Sequence, residues 1–145
     1  MNHVQSPATG DSAIEQEIQA KGKTAPRVTP ADLQANIASE HYFTAQQGVL
    51  GEIRDGGTGG TYAGDHEVPV SIQALSLLTF CVLVLRNGFT VTGESACASP
   101  ENFDAEIGRK IARQNAEQKV WPLMGYELKE QLFQHAETIR RVKGD

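Results

Sequence analysis

Arg109 and Arg113 stand four residues apart in the run Glu106-Ile107-Gly108-Arg109-Lys110-Ile111-Ala112-Arg113. On a helix this spacing puts both guanidinium groups on one face, a turn apart. Like charges so placed repel in an isolated helix, and a bound anion relieves that repulsion. The planar fork of arginine also suits phosphate oxygens. Earlier in the chain, Arg86, Asn87 and Phe89 gather a cation, an amide and an aromatic ring. Together the two sets have the chemistry to hold an adenine nucleotide, with the arginines on phosphate and the ring on the base. A plainer reading stands beside this one. Glu106 lies three residues before Arg109 and four before Lys110, and Arg113 lies four before Glu117. Such pairs make a solvated salt-bridge face, worth about 0.3 kcal/mol each. Asn87 can likewise serve only the backbone of a turn.

The other reactive side chains are dispersed. His3, His41, His66 and His135 have no Cys, His or carboxylate partner at a metal-ligand spacing, so no metal site is expected. Cys81 and Cys97 form neither a C-x-x-C pair nor a disulfide framework. Cys81 falls on an apolar strand, where a thiol behaves as a small hydrophobe. There is no G-x-S-x-G, no H-E-x-x-H and no carboxylate pair that stands out. These absences predict a protein that is not an enzyme and needs no cofactor.

Charge narrows the partners. The net charge is −5, and residues 1–98 carry five basic against ten acidic side chains. Binding to DNA or an anionic membrane by clustered Lys and Arg is therefore not expected. The longest apolar stretch, Leu75–Leu85, is broken by Ser76 and Thr79 and is too short to span a bilayer. Met1–Gly10 has no basic or apolar leader segment, so a cytosolic location is expected.

The elements that must position the two residue sets can be read from local signals. Residues 1–26 are polar and read as a flexible N-terminal segment, with at most a turn or two of helix at Ile14–Ala20, ahead of a single domain at 27–145. Thr29-Pro30-Ala31-Asp32 is a helix start, and Leu33 and Ile37 extend that helix to about Ser39. Tyr42-Phe43 and Val49–Arg54 read as short strands, and residues 55–64 as a glycine-rich loop without a phosphate-binding fingerprint. Leu77–Arg86, Asn87-Gly88 and Phe89–Ser95 predict a hairpin with a two-residue turn, which pairs Val84 with Val91 and Val82 with Gly93. Its first strand is apolar on both faces and should be central. Ser99-Pro100-Glu101 starts the main helix, with Phe103, Ile107 and Ile111 as its core stripe. A small-residue face, Ala105, Gly108, Ala112 and Ala116, would admit a neighbouring backbone. Trp121-Pro122 and Gly125 should end that helix, and a last one carries Leu128, Leu132 and Ile139. The sum is α+β: a small antiparallel sheet with a central hairpin, followed by two C-terminal helices.

The ordered combination Thr79-Phe80-Cys81, Asn87-Gly88-Phe89, Gly93-Glu94-Ser95, Asn102-Phe103-Asp104, Gly108-Arg109-Lys110-Ile111-Ala112 and Gly125-Tyr126-Glu127-Leu128 resembles a family of small tailed-phage proteins described as gp49-like. The resemblance covers about residues 77–132. That family is in turn similar to the Thoeris anti-defence sponges of the first type. The resemblance implies a β-core with two C-terminal helices that assembles into a homo-oligomer, dimer or hexamer. It also implies sequestration, without degradation, of cyclic ADP-ribose-type signals and of cyclic oligonucleotides in the host cytoplasm. Arg109 and Arg113 are the residues it carries over; Phe89, Asn87 and Arg86 remain candidate contacts. The alternative is a phage protein-interaction module that binds and inhibits a host protein.

Overall fold

The computed structural model describes residues 10–63 and 68–144, so expectations for residues 1–9 and for Gly64 lie outside the described residues. Its contacts divide the chain into two units, residues 37–119 on one hand and 1–36 with 120–145 on the other. This division differs from the 1–26 and 27–145 expected from composition. Residues 10–20 form a helix, α1 (Gly10–Ala20), longer than the turn or two predicted. Its anchors are polar, which a count of apolar residues does not register. Arg27 donates from both terminal nitrogens to the Glu15 carboxylate at 2.5 and 2.7 Å, and the Trp121 indole N–H donates to Asp11 at 3.1 Å.

Helix α2 (Pro30–Ala35) starts as predicted. The Thr29 hydroxyl accepts from the Asp32 N–H, the Asp32 carboxylate accepts from the Thr29 N–H, and Pro30 fills the first turn. It buries Leu33 but does not run on to Ser39, because Ile37 opens strand β1 (Ile37–Thr44). Ile37 pairs with the sheet and is not part of a helical stripe. Tyr42 and Phe43 are in β1 as expected, whereas Val49–Arg54 is not a strand. It lies within helix α3 (Ala45–Arg54), which starts with a reciprocal cap between Thr44 and Gln47. That T-x-x-Q box was the overlooked signal, and Val49, Leu50 and Ile53 fit helical spacing as well as strand spacing. The glycine-rich segment folds back on this helix. Gly59 sits so close to Val49 and Ile53 that a Cβ would lie 2.6 Å from the Ile53 side chain.

Helix α4 (Val68–Leu75) leads into strands β2 (Leu78–Leu85) and β3 (Thr90–Ala96). The sheet is antiparallel in the order β1-β2-β3, so the apolar strand is central as predicted. The hairpin register is shifted by one residue from the predicted one. Val84 faces Thr90, Leu83 faces Val91 and Cys81 faces Gly93. The loop holds three residues, Arg86, Asn87 and Gly88, because the Leu85 carbonyl accepts from Gly88 and the Leu85 N–H donates to Phe89. Gly88, at φ +88°, is the residue in left-handed conformation, and Asn87 is not. A turn followed by one left-handed glycine is the usual three-residue alternative to the two-residue form.

The alternation along β2 gives the sheet two unlike faces. Thr79, Cys81, Leu83 and Leu85 are buried, while Leu78, Phe80, Val82 and Val84 are half-buried. On the second face Phe80 stacks on Phe43, with ring centroids 5.6 Å apart. The buried face receives helix α5 (Ala105–Lys143). This helix begins later than predicted. Pro100–Asn102 is a single 3₁₀ turn, and Asp104 caps α5 by accepting from the Ile107 N–H at 3.0 Å.

Two further expectations about α5 are overturned. First, it is one helix and not two: Pro122 lies inside it and Gly125 does not end it. A proline deletes one backbone hydrogen bond of the helix, and the rest of the helix carries through. Second, Ile107 and Ile111 are 55% and 42% exposed, whereas Gly108, Ala112 and Ala116 are buried. The small-residue face is the packing face. A Cβ at Gly93 would collide with the Ala112 carbonyl oxygen and the Ala116 nitrogen, so strand and helix approach with only hydrogens between their backbones. Isoleucines cannot allow that distance, and the larger stripe turns outward.

Candidate functional site

Gly108 lies beside Thr79, Ala112 and Ala116 lie beside Gly93, and the Lys119 ammonium donates to the Thr92 carbonyl at 2.6 Å. These contacts lay α5 along the hairpin from its open end toward its loop. Asn115 adds a hydrogen bond to the Glu94 carbonyl at 2.8 Å. Small residues set the distance and these two side chains set the rotation, which brings Arg109 and Arg113 to the flank of α5 that faces β1.

Arg113 is deeply engaged there. Its Nε donates to Glu40 at 2.9 Å, and its Nη1 pairs with Glu117 one turn on. Its side chain is 27% exposed and that of Glu117 only 13%. The Glu117 contact was legible in the i, i+4 spacing. Glu40 lies 73 residues away and was not. It reaches the arginine because Glu40 is opposite Leu83 in the ladder, and opposed residues share a face. Tyr42, opposite Cys81, joins the same face. Burial raises the Tyr42 hydroxyl to about 12, with the neighbouring Cys81 and Glu40 adding to the shift. Burial likewise raises the Cys81 thiol. The cluster is therefore an ion-paired arginine over a protonated phenol and a protonated thiol.

Arg109 is exposed and makes no ion pair among the described residues. Glu106, a candidate partner three residues before it, pairs instead with Lys110 at 3.4 Å. The i, i+4 pairs of the plain reading thus form, and they leave Arg109 out.

From Thr79, beside Gly108 at the Arg109 end of α5, to Leu85 at the hairpin loop is six strand residues, roughly 20 Å at the usual rise. Leu83, opposite the Glu40 that holds Arg113, is only two strand residues from Leu85. Arg86 and Asn87 are exposed and Phe89 is 54% exposed. The Asn87 side chain accepts from the Phe89 N–H at 3.0 Å, so its amide oxygen serves the turn. Arg109 and Arg113 thus lie a turn apart on α5, and Arg86, Asn87 and Phe89 lie together at the loop.

In the other unit, a cleft of about 490 Å³ is lined by Gln19, Lys23, Thr24, Ala25, Pro26, Arg27 and Thr29. Its guanidinium is the one held by Glu15. Among the described residues no three His, Cys, Asp or Glu side chains form a metal-holding group, and no helix is long and apolar enough to cross a membrane.

The model of a phage protein family, described as the N4 Gp49/phage Sf6 gene 66 family, matches residues 28–132. Comparison with curated proteins and with solved structures returns no match. The matched range contains the whole sheet, Arg109 and Arg113 of α5 and the hairpin loop.

Proposed function

Because the chain belongs to the N4 Gp49/phage Sf6 gene 66 family of phage proteins, we propose that it is a non-catalytic anti-defence protein that captures cyclic nucleotide immune signals in the host cytoplasm. The ligands are cyclic ADP-ribose-type molecules and cyclic oligonucleotides, bound and released intact. The observation that carries this reading is Arg109, an exposed guanidinium without an ion pair among the described residues, one turn from Arg113. Arg109 supplies a bidentate fork for phosphate. Arg113 is pre-oriented by Glu40 and Glu117, and a diphosphate exchanges one of these carboxylates for its own oxygens. Phe89 stacks the adenine, with Arg86 and Asn87 beside it. The loop of a second copy completes the pocket around Arg109, whose end of α5 lies beside Thr79, at the end of the hairpin opposite the loop. The protein thus acts as a homo-oligomer, dimer or hexamer.

The test is a thermal-shift series with both ligand classes. A ligand at a hundred times its dissociation constant stabilises the native protein by about 2.7 kcal/mol. The Arg109→Ala/Arg113→Ala protein should lose that shift and keep its fold. Heat-denaturing the loaded protein should return the ligand chemically unchanged. If micromolar protein depletes none of these nucleotides, or the recovered ligand is altered, the proposal fails. A host protein retained stoichiometrically on the immobilised chain, with no nucleotide bound, would establish the interaction-module alternative instead.

A further inference from the structure

The C-terminal part of α5 is long, carries apolar side chains along one line, and is uncovered among the described residues. From Lys129 to Gly144 every residue except Glu137 is exposed. Leu132 and Ile139 are 40% and 41% exposed and Val142 is 79% exposed. A helical stretch of this length is marginal in water on its own, since most helical stability in proteins comes from packing an apolar face. Leu128, Leu132, Ile139 and Val142 fall on one heptad line, with His135 between them at spacings of four, three, four and three. Gly125 and Trp121 continue the alternation backward, and Leu123, Tyr126 and Phe133 lie off it. This is the seam of a coiled coil.

We propose that this seam is covered by the same seam of a second copy of this chain, running antiparallel. With the twofold axis between Phe133 and Gln134, Leu128 of each copy meets Ile139 of the other, and Leu132 meets His135. Gly125 then makes room for Val142. Every seam position from 125 to 142 finds a mate, so the pattern is self-complementary. Charge favours the same direction. Glu127 and Glu130 lie toward one end of the stretch, while Arg140, Arg141 and Lys143 lie at the other. Antiparallel pairing sets Glu127 level with Arg140 of the other copy, whereas parallel pairing would bring the two basic ends together. Two helices in contact along roughly 27 Å remove on the order of 1,000 Å² of surface, the size at which specific interfaces begin. The proposal specifies the surface that builds the homo-oligomer of the proposed function. Its test reads mass and not nucleotide binding, so either reading can fail alone.

Sedimentation of the full chain at micromolar concentration should give at least twice the 15.7 kDa of one chain. Leu132→Glu with Ile139→Glu should halve the mass of each dimer unit and leave the sheet signal in circular dichroism unchanged, because both side chains are exposed in the single chain. Tyr126→Glu with Phe133→Glu, off the seam though 74% and 53% exposed, should leave the mass as it is. Oxidation of Gly125→Cys chains mixed with Val142→Cys chains should yield the mixed covalent dimer in excess over either variant alone. A monomeric wild type, an unchanged mass for the seam variant, or dissociation by the off-seam pair overturns the proposal. Preferential linking of like variants overturns the antiparallel arrangement.

Discussion

The two parts of α5 use opposite kinds of side chain. Residues 105–119 bury Gly108, Ala112 and Ala116 against the sheet and turn Ile107 and Ile111 outward. Residues 120–143 leave Leu132, Ile139 and Val142 without cover among the described residues. The difference shows that apolar size alone does not mark the inside of a helix. Where a backbone must approach closely, as Gly93 does, the packing face is made of the smallest residues, and larger ones are displaced to the surface. Toward the C-terminus, where no such approach is seen among the described residues, large apolar residues remain on the surface.

The contrast can be broken most severely at Gly93. Gly93→Val places carbon against the backbone of α5, which cannot yield as a flexible side chain can. A loss of at least about 3 kcal/mol is expected in chemical denaturation, together with partial unfolding of the sheet unit. Paired leucine truncations come next. Leu83, fully buried, should cost about 3 kcal/mol when changed to Ala. Leu132→Ala should cost less than about 0.5 kcal/mol in dilute monomer and show its effect only in the association constant.

The smallest effect is one of pH. Tyr42 is held neutral up to about 12, well above the value of about 10 for a free tyrosine. Its contribution to stability is complete below the unfolded-state value. Above it the unfolded chain releases the proton while the native protein keeps it, so stability falls from about pH 10 to 12. Denaturation midpoints across that range should decline, and Tyr42→Phe should flatten this part of the decline. The raised Cys81 thiol acts with the same sign from a lower pH, so some slope should persist in that variant.

What could be read before folding was whatever is settled over a few residues. The cap at Thr29 with Asp32, the hairpin around Asn87-Gly88, the central place of the apolar strand and the family resemblance all rest on short-range chemistry. The T-x-x-Q cap of α3 was equally local and simply overlooked. Other features were not legible. The one-residue shift of the hairpin depends on which of two turns the ladder prefers, since both suit Asn-Gly. The salt bridge from Arg113 to Glu40 crosses 73 residues and exists only because β1 lies beside β2. Arg109 and Arg113 had the same apparent standing in the chain, yet only Arg113 is claimed by acids.

The amino-acid order by itself determined the turns, the caps, the strand in the middle and a pair of arginines on one helical face, because each depends on neighbours within a turn or two. Only the tertiary structure decided which face of α5 is buried and which arginine is left without an ion pair among the described residues. Those outcomes depend on how closely backbones distant in sequence can approach, and that distance is set by packing over the whole sheet.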